Sequence, residues 1–373
     1  MSWKLDRIVS GTKCRIILSN IAVMFMPSCH GLLIMNNKEH RMYIGFYTQK
    51  ELVVVGKNDM HLLTDKTPLI NKSSLDDLDK IIITHDSDDF KITVTRDGLF
   101  GIRIKSIESD YPSPQSMAEH CNDRSTEKWR LYVDHINAFQ VALMTASLIS
   151  GFKSDLSGVH DITREDALIL KEDMRFEGLT SESNKTKIRM FDSNRTRVFC
   201  AQQFLFEEYF EHCLVRFKSI IKAKAISHVA NLARSLVHYQ SGNNNLALAL
   251  SWFDIEILLK RKLKLHLEEP SINYTVDKSK GTKRFNNGRC KYLVEEMEVA
   301  KVVEILELLE LITYDLYSSI SKCRKERNKM VHGSNLVVSS ETASNCISLL
   351  LQLINSEFNS DLKINTSRSM SLF

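Results

Sequence analysis

The stretch Leu232–Leu263 reads LARSLVHYQSGNNNLALALSWFDIEILLKRKL and decides the fold of the carboxy-terminal half of the chain. Its first part closes a helical pattern that starts near Phe199 and ends at Gln240. Glycine and asparagines in residues 241–245 are typical of a helix end, so a turn is predicted there. The second part predicts a helix from Leu246 to about Glu268, which is apolar on several faces and therefore buried centrally.

Two more helices follow in the sequence. Apolar residues at spacings of three and four predict a helix from Leu293 to about Met330 and another from Ser339 to Phe358. The loop between the second and third helices, Ser271–Lys291, is long and basic. Four amphipathic helices with one long and several short connections predict an antiparallel bundle.

The amino-terminal part of the chain has the opposite pattern. Short β-rich runs extend from Cys14 to Ile107, and Asp97-Gly98 between two alternating segments indicates a tight hairpin, because glycine adopts the positive φ that the turn requires. We expect a mostly antiparallel β domain of seven or eight strands. The acidic loop His85–Asp89 has the residues of a metal site, but turn formation is the favoured interpretation.

The region between these halves predicts a helical connector. Two of the five prolines lie in residues 110–116 and mark a boundary. A helix is predicted over Glu127–Ser150, and Thr163–Asp166 resembles a capping box that would start another helix at Ala167. A polar, basic segment, Ser181–Arg197, is either a solvated loop or a nucleic-acid contact. The expected α+β fold thus divides into a β-rich sensor or partner domain (1–110), a connector (111–200) and a helical bundle (201–373).

Composition excludes several classes of protein. The 373-residue chain has 43% hydrophobic residues and a net charge of +4, which is typical of a folded protein and permits an acidic partner. The eight cysteines are scattered without metal-binding spacing, and no signal peptide or membrane span is predicted. We therefore expect a cytoplasmic protein that uses neither a metal nor a cofactor and does not bind membranes.

The segment Ser321–Asn335, SKCRKERNKMVHGSN, brings phosphate-binding and proton-transferring groups to one helix end. Arginine grips phosphate in a bidentate manner, and histidine exchanges a proton near neutral pH. Asn328, four residues before His332, is placed to orient the imidazole, whereas Arg327 is offset by about 140°. The alternative is structural: cations compensate the helix dipole, and Gly333 forms a left-handed cap.

Arg327-Asn328 followed by His332-Gly333, at the end of an apolar helix and before a final helix, resembles the R-x4-6-H motif of HEPN (higher eukaryotes and prokaryotes nucleotide-binding) domains. Leu232–Leu263 is also similar to the first two helices of Apea-like HEPN proteins, including Trp252 followed by Glu256. The resemblance implies a HEPN-like, usually dimeric bundle and a metal-independent ribonuclease in which a ribose 2′-hydroxyl attacks the adjacent phosphate. It assigns catalytic roles to Arg327, His332, Asn328 and Glu256.

The resemblance further implies a toxin or phage-defence effector, with an antitoxin or a trigger acting on the amino-terminal domain. We predict RNA contacts from the basic loop and the third helix, at Lys278, Lys280, Lys283, Arg284, Arg289, Arg324 and Lys329. A solvated loop is the alternative for the first five. Two other functions stay open: a non-catalytic module that binds a nucleotide or protein, and a purely structural dimerisation module.

Overall fold

A computed structural model describes residues 43–48, 52–57, 80–111, 123–150, 159–164, 166–175, 203–333 and 337–366. All of these residues belong to one compact unit, which spans residues 42–373. The first three β-rich runs of the sequence, which end by residue 35, and the basic segment 181–197 lie outside the described residues.

A five-stranded antiparallel sheet and a two-stranded ribbon contain the first seven strands of the described chain. The strands are β1 (Tyr43–Phe46), β2 (Leu52–Val55), β3 (Ile81–Asp86), β4 (Phe90–Thr95), β5 (Phe100–Ile104), β6 (Leu168–Leu170) and β7 (Gln203–Phe206). The order in the sheet is β3-β4-β5-β1-β6, and β2 pairs in parallel with β7 as a separate ribbon. The antiparallel β region expected from the sequence is confirmed.

The β4–β5 hairpin turns at Asp97-Gly98, as the sequence predicts. Gly98 has a φ of +79°, and a Cβ there would lie 2.7 Å from the carbonyl oxygen of Leu52, so only glycine fits without strain. Of the acidic loop His85–Asp89, the first two residues end β3 and the last three form the turn to β4, where the Ser87 hydroxyl donates to the carbonyl of Phe90 at 3.0 Å.

The helical part follows in chain order. The described helices are α1 (Lys105–Asp110), α2 (Asp123–Ile149), α3 (Glu207–Lys222), α4 (Ile226–Gln240), α5 (Asn244–Glu268), α6 (Asn287–Lys291), α7 (Val299–Leu308), α8 (Tyr314–His332) and α9 (Ser340–Phe358). A short ribbon of β8 (Thr275–Asp277) and β9 (Thr282–Lys283) precedes α6, and a π-helical turn, Tyr292–Glu296, follows it. A mostly helical carboxy-terminal half, and with it an α+β fold, is therefore confirmed.

Helix α9 begins next to its predicted start at Ser339, and α5 begins two residues before the predicted Leu246, because side chains cap both helices. Asn243 accepts a hydrogen bond from the backbone N–H of Leu246, and Ser339 accepts one from Thr342. Asn359 closes α9 in the left-handed conformation, with a φ of +48°. These local signals fix both ends of the last helix.

Two predicted long helices are each broken, which corrects the sequence prediction. The pattern from Phe199 to Gln240 contains β7, α3 and α4, and the helices are separated at Lys224, which has a φ of +57°. The pattern from Leu293 to Met330 contains the π-helical turn, α7 and α8; Glu310 has a φ of +55°, and Thr313 caps α8. The same apolar spacing resumes on the far side of each break, so periodicity did not reveal it.

The predicted helix start at Thr163–Asp166 is wrong. One of the two capping-box bonds is present, because the Asp166 carboxylate accepts from the backbone N–H of Thr163 at 3.0 Å; the Thr163 hydroxyl also donates to this carboxylate at 2.6 Å. The following residues nevertheless form β6, which pairs with β1. Tertiary strand pairing overrides the local helix signal here.

One apolar core joins the sheet to the helices. Phe100 of β5 and Phe217 of α3 pack against Phe139 of α2, with ring centroids 5.7 Å and 5.2 Å apart. The same cluster continues through Leu248 of α5 to Leu350 of α9. The sheet therefore supports the bundle directly, while the three-part division at residues 110 and 200 stays a prediction.

Candidate active site at the end of helix α8

Helix α8 carries the R-x4-H motif and runs without a break from Tyr314 to His332. Its buried residues are Ile320 and Cys323, and Arg327 follows Cys323 by one helical turn on the same face. Arg327 is accordingly half-buried, whereas His332 is exposed. Because the helix stays regular, the two side chains leave it in directions that differ by about 140°.

Asn328 interacts with Arg327. A guanidinium Nη1 of Arg327 donates to the amide oxygen of Asn328 at 3.1 Å. The hydrogen bond that we expected from Asn328 to His332 is not formed in the described structure, where the His332 side chain has no hydrogen-bond partner. Arg327 is thus held by its neighbour, and the imidazole is free to meet a ligand.

Gly333 does not form the left-handed cap that the structural alternative predicts. Its φ is −95° and its ψ is 123°, and its N–H donates to the carbonyl of Lys329 at 2.7 Å. Any residue adopts this conformation, so the end of α8 gives no backbone reason for glycine. That part of the structural alternative is wrong.

Two of the other candidate side chains on the helices, Glu256 and Lys329, form ion pairs with neighbours on their own helix. Glu256 of α5 faces Lys260 one turn later, with their charged atoms 3.6 Å apart. On α8, Lys329 pairs with Glu326 at 2.7 Å, and Arg324 is half-buried. The described contacts do not join Glu256 to Arg327 or His332.

The basic loop is a folded element, which sequence reasoning missed. Residues 273–292, here called the basic hairpin, contain β8, β9 and α6. All of its lysines and arginines are exposed: Lys278, Lys280, Lys283, Arg284, Arg289 and Lys291. It is therefore a structured cationic surface instead of an irregular loop.

A buried polar network between α4 and α5 was also not predicted from the sequence. Asp254, which is 1% exposed, lies 3.0 Å from the Nδ1 of His228 and accepts from the amide of Asn231 at 3.2 Å. The Asn231 oxygen accepts from Arg234 at 2.9 Å, and Arg234 donates to Asp134 of α2 at 2.7 Å. The available signal was an aspartate inside the apolar run LSWFDIEILL.

Two thiols meet behind the motif. Cys323 of α8 and Cys346 of α9 are both buried and free, and their thiols influence each other's ionisation. The neighbouring thiol lowers the pKa of Cys323 and raises the pKa of Cys346 well above its ordinary value. This pair lies one turn before Arg327.

Neither metal-binding nor membrane-spanning features are found in the part of the chain that the structure covers. Its histidine, cysteine, aspartate and glutamate side chains form no group of three or more with the arrangement of a metal site. Within the same ranges, no helix combines the length and hydropathy of a membrane span. No protein-family model, curated protein or solved structure gives a match to this chain.

Proposed function

We propose that this protein is a metal-independent endoribonuclease of the HEPN type, whose active site is formed by Arg327 and His332 of α8. The observation that carries the proposal is the accessible imidazole of His332 at the end of an unbroken helix, close in sequence to an arginine that Asn328 holds in place. Guanidinium and imidazole together supply phosphate binding and proton transfer at neutral pH.

The reaction follows from these groups. The imidazole of one His332 accepts the proton of a ribose 2′-hydroxyl, whose oxygen attacks the adjacent phosphorus. The bond from phosphorus to the 5′-oxygen breaks, and a protonated His332 from a second copy donates a proton to that oxygen. The products are a 2′,3′-cyclic phosphate and a 5′-hydroxyl, while Arg327 stabilises the negative charge that develops on the phosphate oxygens.

A second copy of the chain is part of the proposal because Arg327 and His332 diverge on their own helix. A surface suited to that copy lies on α5, where Leu246, Phe253 and Ile257 recur at spacings of seven and four and share one face. They are 37%, 62% and 39% exposed. The central burial of α5 predicted from its sequence is thus wrong for this stripe, and an apolar stripe of this kind is typical of an interface.

The biological role that fits this activity is that of a toxin or phage-defence effector. A nuclease of this kind is harmful unless it is restrained, so a trigger or an antitoxin acting on the β-rich region is the accompanying proposal. The shared core of sheet and bundle offers a physical route from such a partner to the helices.

His332→Ala tests the chemistry. Loss of general acid and base catalysis should lower RNA cleavage about 10²- to 10⁴-fold without changing the circular dichroism spectrum. Lys325→Ala, which removes an exposed cation from the same helix, is the matched control and should cleave at the wild-type rate. Unchanged cleavage by His332→Ala would refute the assignment.

Phe253→Lys tests the second copy. The charge at the centre of the apolar stripe should produce monomers in analytical ultracentrifugation, and these should not cleave RNA. A monomer that retains full activity would contradict the composite site.

A second candidate function is supported by the same divergence on α8. Arg327 with Asn328 is by itself suited to bind a phosphate group, which would make the bundle a non-catalytic nucleotide- or protein-binding module. That function predicts saturable nucleotide binding that Arg327→Ala weakens and His332→Ala leaves unchanged, with no cleavage of any RNA.

A further inference from the structure

The basic hairpin positions its two arginines on aromatic rings. The guanidinium carbon of Arg284 lies 5.7 Å from the ring centroid of Tyr274 and 5.2 Å from that of Phe285. The guanidinium of Arg289 lies 5.0 Å from the Phe285 ring. These distances are within the range of cation–π attraction, so both charges are held over rings instead of moving freely in solvent.

Hydrogen bonds fix the rings and the charges relative to each other. The backbone N–H of Arg284 donates to the carbonyl of Tyr274 at 3.0 Å, and that of Phe285 donates to the side chain of Asn273 at 2.8 Å. Asn286 caps α6 by accepting from the N–H of Arg289 at 2.9 Å. Phe285 is also partly buried against the main core, so the cluster has a rigid base.

The outer side of this cluster is open. Tyr274 is 53% exposed and Tyr292, at the end of the hairpin, is 56% exposed. Both rings are therefore accessible to a ligand from solvent. Flat apolar rings among fixed guanidinium groups and exposed lysines match a ligand that has flat rings and phosphates.

We propose that the basic hairpin is a binding platform for single-stranded RNA, on which unpaired bases stack against Tyr274, Tyr292 and the guanidinium groups of Arg284 and Arg289. The lysines at 278, 280 and 283 contact the phosphates. This inference rests on the proposed function for the choice of RNA, and it names unpaired RNA as the substrate class.

Unpaired bases are required because the faces of bases within a duplex already stack on one another. Only a single strand presents them to a protein ring, and recognition of single strands uses aromatic and guanidinium planes in this way. The lysines alone would bind any polyanion, so the preference for a single strand depends on the two arginines and the rings.

Binding is measured by fluorescence anisotropy with the full chain and a labelled 2′-O-methyl RNA of 16 nucleotides, either alone or annealed to its complement. This RNA has no free 2′-hydroxyl, so the proposed cleavage chemistry does not act on it. Wild-type protein should bind the single strand at least about tenfold more tightly than the duplex.

The double variant Arg284→Lys/Arg289→Lys keeps the charge and removes the planar groups. It should bind the single strand at least about fivefold more weakly and the duplex almost unchanged. Lys278→Ala/Lys280→Ala should weaken both complexes and reduce the salt dependence of binding. Arg175→Lys is the control, because this exposed arginine pairs with Asp173 and lies outside the hairpin.

Equal affinity of the wild type for both RNAs, or a folded Arg284→Lys/Arg289→Lys protein with unchanged affinity for the single strand, would overturn the platform. This design tests the binding platform and the cleavage chemistry separately. If His332→Ala binds the single strand normally, the proposed binding platform is supported whether or not the wild type cleaves RNA. If the variant without the two arginines still binds and cleaves RNA, the platform is refuted and the proposed nuclease activity is not.

Discussion

Replacing Asp254 by leucine should destabilise the protein by about 2–4 kcal/mol. The carboxylate is 1% exposed and has two polar partners, the Nδ1 of His228 and the amide of Asn231. A buried donor left without an acceptor, such as His228, costs about 1–3 kcal/mol; the half-buried Asn231 adds less, and the added apolar burial of leucine offsets part of the sum. The loss is large because the network between α2, α4 and α5 is interrupted at its most buried member.

The assay is equilibrium unfolding in urea, followed by circular dichroism, with the slope m compared between variants. Asp254→Asn keeps the shape and one acceptor, and should cost less than about 1.5 kcal/mol. Glu256→Gln changes a carboxylate two residues further along α5, where only an ion pair with Lys260 at 3.6 Å is lost, and should cost less than about 0.5 kcal/mol.

The reasoning fails if the free energy of unfolding of Asp254→Leu differs from that of wild type by less than about 1 kcal/mol at equal m, because one unpaired buried donor alone should cost about 1–3 kcal/mol. It also fails if Asp254→Leu and Glu256→Gln have equal effects. Either result would mean that His228 and Asn231 find other partners when the carboxylate is absent.

Two further predictions concern helix α2 and the β4–β5 hairpin. Burial lowers the pKa of His135, so the folded protein keeps this ring neutral, while the unfolded chain takes up a proton below about pH 6.5. The free energy of unfolding should therefore fall between pH 7.5 and 5.5, and His135→Gln should reduce that fall in urea titrations at the two pH values; an unchanged pH dependence would refute the role of His135. Gly98→Ala should cost at least about 1 kcal/mol, because of the positive φ and the contact with the Leu52 carbonyl, and a thermal unfolding midpoint equal to that of wild type would contradict this.

Features governed by a few neighbouring residues were predictable from the sequence. Asp97-Gly98 defines a hairpin by its backbone requirement, and Asn243 and Ser339 define helix starts by capping. The breaks at residues 223–225 and 309–313 contain neither glycine nor proline, so local signals did not reveal them. Strand β6 depends on pairing with β1, a partner more than a hundred residues away.

The candidate site divides in the same way. The divergence of Arg327 and His332 follows from helix geometry and was predictable, whereas the bond between Arg327 and Asn328 depends on side-chain rotation. The partners of Asp254 come from another helix and required the fold. The stacking of Arg284 and Arg289 on aromatic rings likewise required the path of the hairpin, although its charges and rings were evident in the sequence.

The contact between Cys323 and Cys346 gives α8 a built-in reporter of its own motion. Thiol reagents reach buried sulfur atoms only when the surrounding structure opens, so the alkylation rate of this pair measures how often α8 separates from α9. Cys290, which is half-buried in the basic hairpin, provides an internal reference for a more accessible thiol. The alkylation rate of these native cysteines thus reports how often the helix that bears Arg327 and His332 opens, and no cysteine has to be introduced for the measurement.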